Sequence, residues 1–382
     1  MSRSKPTAPV RVVIAGGGFA AGELMLALRA LAGERVEIEV IAPAAELPFR
    51  PAATRTPFGE APVDVYDLAA IASDAGARLR RDTVEAVASR AHRVRLASGV
   101  STRYDAFVLA VGARSRVGVP GAITFRDQRD SHLVSRLVDG LGEAGAGRVV
   151  FAAPSGVSWT LPLYELALLT AAEVRRRDLA AEVVMYTPES MPLQVFGSSV
   201  SAHVASLLAA HAVRWSRGTA ESAARGRVML GNGEALAAHG VVAVPRLVGR
   251  RMSGVPADWN GFVRTDAYGH VDELVDVFAA GDVTQFPIKQ GGLATQQADV
   301  IAAVLAARAG AEVVPPPVRH VLRARLLGAD GPCFLRADLD SEGHPLPPKD
   351  APAVSDEADW WPAAKLFGRY LTPWMATSSL AG

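Results

Sequence analysis

The stretch VRVVIAGGGFAAGELMLALRALAG, continued by VEIEVIA, constrains this chain more than any other. Residues 10–15 are a short β-rich apolar run. Gly16 and Gly18 fit the first two positions of G-x-G-x-x-G, and Ala21 takes the third, which tolerates alanine because it only lets helix and strand pack closely. Leu24, Leu28 and Leu31 recur at helical spacing, and residues 36–42 form a second strand. Strand, glycine turn, helix and strand within roughly 30 residues is the context of a dinucleotide fold. Gly16 makes the tight turn, Gly18 lets backbone approach a pyrophosphate, and the helix N-terminus offers free N–H groups to it. The acidic residue that usually ends the second strand is missing: Ala42 sits there. Glu37 and Glu39 lie inside the strand and are expected to face solvent, and Glu46 comes later, so the ribose contact is unassigned.

Two distant segments look like parts of the same unit. RYDAFVLAVGAR gives a strand ending at Ala110 and Gly112, and VDVFAAGDV gives another ending at Gly281-Asp282. A second glycine turn, PIKQGGLATQQAD, follows and opens a helix at about Leu293. These pieces make sense together only as one nucleotide domain interrupted by an insertion.

On GGGFAAGE, FVLAVGAR, VFAAGDV and PIKQGGLATQQAD, the chain resembles the FAD-dependent pyridine nucleotide-disulfide oxidoreductases with two dinucleotide-binding domains. Within them it is similar to the branch holding sulfide:quinone oxidoreductase, flavocytochrome c sulfide dehydrogenase and type II NADH dehydrogenase. The resemblance implies an α/β fold of two Rossmann-like domains and a small C-terminal region. The implied division is a discontinuous FAD domain (1–117 and 253–312), an inserted NAD(P)-binding-like domain (118–252) and a C-terminal region (313–382). It implies that Asp282 binds the ribityl or pyrophosphate part of FAD, and that Gly112 lets the chain pass near the adenosine. Thr83 and Val84 would meet the adenine through backbone. Arg50 and Pro51 would lie near the flavin, as would Lys289, Gln290 and Gly292. A lysine and a helix N-terminus beside N1 and O2 would stabilise the charge of reduced flavin, which makes Lys289 the expected catalytic residue.

The inserted domain should repeat the glycine motif, but GRVVFAAPSGVSWTLPLYELALL places Pro154, Gly156 and Trp159 at its three positions. Proline fixes φ and removes an N–H, which weakens an anion nest. Tryptophan at the third position would obstruct helix packing, and the helix is expected to begin late, at Pro162. The segment PLYELALL resembles the matching helix of the sulfide-oxidising members, which argues against a standard NAD(P)H site. Ser155, Gly156 and Ser158 still offer donors to phosphate. Glu189 stands at a ribose-binding position but reads as a surface turn residue in TPES.

Sulfide oxidation in that branch uses a pair of redox cysteines, and this chain has one cysteine, Cys333, read as a small buried strand residue. No disulfide, thiolate cluster or histidine spacing for a metal is present in the sequence. A formal net charge of +1 gives no electrostatic case for nucleic acid. The polar start MSRSKPTAPV lacks a secretory h-region, so a cytoplasmic protein is expected. The aromatic tail WWPAAKLFGRYLTPWMA is expected to be a lid over the flavin or a homodimer contact, with membrane-surface docking as the other reading. The functional expectation is electron transfer from a small donor, NAD(P)H by default, through FAD to a quinone or another small acceptor. Two alternatives stay open: a thiol-linked reaction on Cys333 alone, and a non-catalytic flavin-binding scaffold.

Overall fold

The computed structural model describes residues 8–143, 147–328, 330–348 and 351–378. Two parallel five-stranded sheets organise it. The first runs Val277–Ala279, Ala106–Leu109, Val10–Ala15, Val36–Ile41, Arg78–Arg80, so strands from both ends of the chain lie side by side. Parallel strands covered on both faces read as continuous apolar runs, and Val12, Val13 and Ile14 are fully buried. One face carries helix Phe19–Ala32 packed against helix Gly291–Arg308. Both are rich in alanine and leucine, strong helix formers that also allow close approach. The other face carries the antiparallel strands Val84–Ala88, Arg93–Leu96 and Ser101–Arg103.

The second sheet runs Ile123–Thr124, Gly240–Ala243, Gly147–Ala152, Ala181–Thr187, Val213–Arg217. The chain enters and leaves it along a two-stranded antiparallel ribbon, Arg114–Arg116 against Arg246–Val248. Helix Leu161–Arg176 packs on this sheet and follows its first long strand.

After residue 310 the chain serves both halves. Strands His320–Arg325, Phe334–Leu339 and Val354–Ser355 form an antiparallel sheet whose Leu322, Leu335 and Leu339 join the core of the second sheet. The final helix, Leu371–Ser378, buries Leu371 and Met375 in the core of the first. The aromatic tail is therefore mostly a strap between the two units: Trp360 is buried, and Trp361 is 69 % exposed.

Candidate functional site

The turns singled out in the first half meet at one edge of its sheet. Gly16 has φ +120°, and a Cβ there would lie 2.2 Å from the Ala110 carbonyl oxygen, so no other residue fits. Gly281 has φ +82° and is wedged between Ala20 and Ala294 of the two helices, with its N–H donated to Gln297 Oε1 at 2.7 Å. Ala21 is fully buried, which is the close helix packing its place in the motif requires. Gly18 caps helix Phe19–Ala32 without any side-chain hydrogen bond, and a Cβ there would face open space. Free helix N–H groups, a positive helix end and open room above them suit a pyrophosphate. Gly112, at φ +66°, likewise faces open space.

Asp282 follows directly. Burial pushes its carboxyl up, while the charges of Lys289 and Arg50 act against that. No hydrogen bond among the described residues reaches its oxygens, so they are free for a hydroxyl-bearing ligand. Lys289 is pulled down to about 8 by burial, opposed by Asp282 and Asp258. Its ammonium donates to the Thr284 and Phe286 carbonyls and lies 3.9 Å from the centre of the Phe262 ring. It is thus a charge fixed in place beside Asp282. Gln290 caps helix Gly291–Arg308, which opens two residues before Leu293: its Oε1 accepts the Leu293 N–H, and its Nε2 donates to the Arg323 carbonyl. The strap crosses this helix start, where Leu366 and the Phe367 carbonyl crowd Gly291 and Gly292. Arg50 opens the 3-10 segment Arg50–Phe58, with Pro51 in its first turn, and stands 3.7 Å from Asp127. Val84 is buried at the start of its strand, and the Thr83 carbonyl is taken by the Ala97 N–H.

Two expectations are corrected. Glu39 does not face solvent. It is 2 % exposed between Arg11 and Arg80, two neighbouring-strand arginines. Burial pushes its carboxyl up, but those arginines prevail and hold it below the usual range. Glu189 is not a surface turn residue. Its two oxygens accept from Thr160, 2.9 Å away, and Tyr164, 2.8 Å away, both in the first turn region of helix Leu161–Arg176. Burial raises its pKa.

The rest of the second turn is similarly tied down. Pro154 is buried, and Ser158 donates to the Pro287 carbonyl. Trp159 does not obstruct the helix, which starts later, at Leu161; its ring turns aside to Phe196, 6.1 Å away between centroids. Gly156, at φ +79°, faces open space. Cys333 is 5 % exposed, and burial pushes its thiol up, away from the reactive thiolate.

The sequence reading missed a buried ion pair. Glu165 is fully buried on helix Leu161–Arg176 and binds the Lys365 ammonium, itself 9 % exposed. Thr54 donates to Glu165 at 2.9 Å and the Leu327 N–H at 3.1 Å. Burial raises the glutamate and lowers the lysine, each opposed by its partner. One carboxylate thus joins the Arg50–Phe58 segment, the inserted domain, the C-terminal sheet and the strap. Lys365 immediately precedes Leu366, whose side chain packs on Gly291 at the start of helix Gly291–Arg308.

Residues 10–299 match the pyridine nucleotide-disulphide oxidoreductase family. The chain belongs to this family. It is an FAD-dependent oxidoreductase, and its glycine turns and unpartnered Asp282 fit that cofactor. No curated protein sequence matches it. Among solved structures it is similar to the sulfide:quinone oxidoreductase of the hyperthermophilic bacterium Aquifex aeolicus, with TM-score 0.75, 21 % identity and coverage of 86 % of this chain and 84 % of that one. It is also similar to the ferredoxin reductase for the CYP199A2 system of Rhodopseudomonas palustris (TM-score 0.65, 19 % identity, 86 % and 82 % covered). A third likeness is to the covalent putidaredoxin reductase–putidaredoxin complex (0.64, 20 %, 87 % and 82 %). At these identities the likeness is one of fold. Among the described residues no helix is long and apolar enough to cross a membrane, and no cluster could hold a metal ion.

Proposed function

We propose that the protein passes two electrons from NAD(P)H through FAD to a quinone-class acceptor. The Gly16–Gly18 turn and Ala21 would seat the pyrophosphate, with Ala110 and Gly112 beside the adenosine and Val84 near the adenine. Gly281 and Asp282 would hold the ribityl side. Arg50, Pro51, Lys289, Gln290, Gly292 and Leu293 would frame the flavin ring. FAD when bound supplies the redox chemistry, taking two electrons and releasing them. The chain supplies position and charge. Lys289, fixed by two carbonyls and the Phe262 ring, lends positive charge to the helix start without rearrangement.

The observation that carries the acceptor reading is the Glu165–Lys365 pair. Reducing a quinone to a quinol takes two protons as well as two electrons. A buried acid and a buried ammonium, each pushed toward neutrality by burial, are suited to hold and hand over protons beside a redox group. That the sulfide:quinone oxidoreductase fold is the likeness with TM-score 0.75 supports the same class of acceptor. Steady-state turnover with NADH or NADPH and a short-chain ubiquinone tests this reading. We expect turnover that Lys365→Met abolishes while FAD stays bound. Full turnover in that variant would remove the pair from the mechanism.

A further inference from the structure

The inserted domain has lost the usual means of holding a phosphate at its helix. Pro154 removes an N–H from the turn, and the Glu189 carboxyl already fills the first turn through Thr160 and Tyr164. Next to that closed turn lies an unneutralised group of arginines. Residues 106–126 and 240–257 contain six arginines and no acidic residue, in a chain of net charge +1. Arg126 pairs with Asp130, and Arg251 donates to the Asp258 and Trp259 carbonyls. Arg114, Arg116, Arg246 and Arg250 are exposed and make no ion pair with any described carboxylate.

Their placement is unfavourable in the free protein. Arg116 and Arg246 are direct cross-strand partners in the ribbon that joins the two halves. Like charges directly opposite destabilise a strand pair. Arg250 is burdened too: although its side chain reaches solvent, partial burial lowers its pKa first, then the charges of Arg114 and Arg50. The group reaches the second turn, where Arg246 donates to Ser155 Oγ at 3.3 Å, beside the open approach at Gly156. The group thus lies alongside the second turn.

We propose that the ribbon arginines Arg116 and Arg246, with Ser155 and Gly156, form the anion subsite of the electron donor and take a phosphate or pyrophosphate group. Binding at the helix N-terminus is thereby replaced by binding to guanidinium forks, which match phosphate oxygens in paired hydrogen bonds. Arg250 and Arg114 add further positive charge beside them. A bound polyanion relieves the Arg116–Arg246 repulsion. This deepens the donor reading above, and it stands on binding alone, with no need for turnover.

The test is calorimetric titration of the FAD-loaded protein with inorganic pyrophosphate at low ionic strength. Arg116→Gln and Arg246→Gln should each weaken binding at least tenfold while flavin content is kept. Arg175→Gln removes the same charge at the far end of helix Leu161–Arg176 and should leave binding unchanged. Glu189→Gln should also leave it unchanged. Absence of binding to the native protein overturns the proposal, as does an equal loss in Arg175→Gln or unchanged affinity in both ribbon variants. If pyrophosphate binds at the ribbon but neither NADH nor NADPH reduces the flavin, the subsite stands and the donor is another phosphorylated reductant.

Discussion

Replacing Lys365 by methionine isolates what the buried pair does. Glu165 is fully buried and would keep only Thr54 and the Leu327 N–H. An ionised carboxylate without its cation is costly there, so the variant takes up a proton on folding. Starting from an ordinary carboxyl at 4.5, that proton costs about 2.5 pH units at pH 7. At ~1.4 kcal/mol per unit this is at most about 3 kcal/mol, since burial already raises the native carboxyl. The figure falls at the lower end of the range of about 3–5 kcal/mol for breaking a buried pair. The sign follows from the raised folded-state pKa: the loss is absent below 4.5 and grows as pH rises toward the folded value. Urea unfolding at pH 5 and pH 7 reads it. The deficit should be up to about 3 kcal/mol at pH 7 and under about 1 kcal/mol at pH 5, and Glu165→Gln added to Lys365→Met should recover most of it. An equal deficit at both pH values would refute the assignment of the cost to an orphaned carboxyl.

Gly16→Ala puts a methyl against the Ala110 carbonyl at a φ that disfavours any side chain, so purified protein should lose most of its FAD, read by absorbance after gel filtration. Asp299 is pushed up to about 9 by burial, then by Glu23, its neighbour between the two packed helices. The native chain must hold that proton on folding, so Asp299→Asn should be more stable, with a lead growing by about 1.4 kcal/mol per pH unit from pH 6 to pH 8.5; a melting-temperature difference that does not change with pH would count against it. Glu23 accepts the Tyr370 and Leu371 N–H groups at 2.8 and 2.7 Å, which anchors the strap, and Leu371 is fully buried. Leu371→Ala should cost about 2–5 kcal/mol and raise hydrogen exchange across residues 360–378 first.

Local chemistry made the first nucleotide turn legible. Gly16, Gly18 and Ala21 occupy positions where spacing alone dictates backbone approach and helix packing. Gly281-Asp282 was legible for the same reason, since a strand end followed by a glycine turn has few other uses. Glu39 was misread because an acidic residue inside a strand was taken to face solvent. In a doubly covered parallel sheet it can be buried if arginines reach it, and Arg11 and Arg80 come from strands 28 and 41 positions away. Glu189 was misread because a turn-like sequence says nothing about the Tyr164 hydroxyl 25 positions earlier. The Glu165–Lys365 pair spans 200 positions, beyond any periodicity. One signal did point to it. The chain has 36 arginines and four lysines, and two of those lysines, Lys289 and Lys365, are buried enough that their pKa values fall. An ammonium loses its proton on burial far more readily than a guanidinium, so scarce lysines in an arginine-rich chain mark places where a titratable cation is wanted. Glu165 itself stands in an otherwise apolar helix face.

Anaerobic titration of the FAD-loaded protein with NADH and then NADPH, followed at the flavin absorbance, tests the central claim most directly. The expected result is bleaching by one equivalent of at least one nucleotide, with the colour restored on adding a short-chain ubiquinone. A flavin spectrum unchanged by both nucleotides would contradict the proposed donor and make the inserted domain the wall of a different pocket.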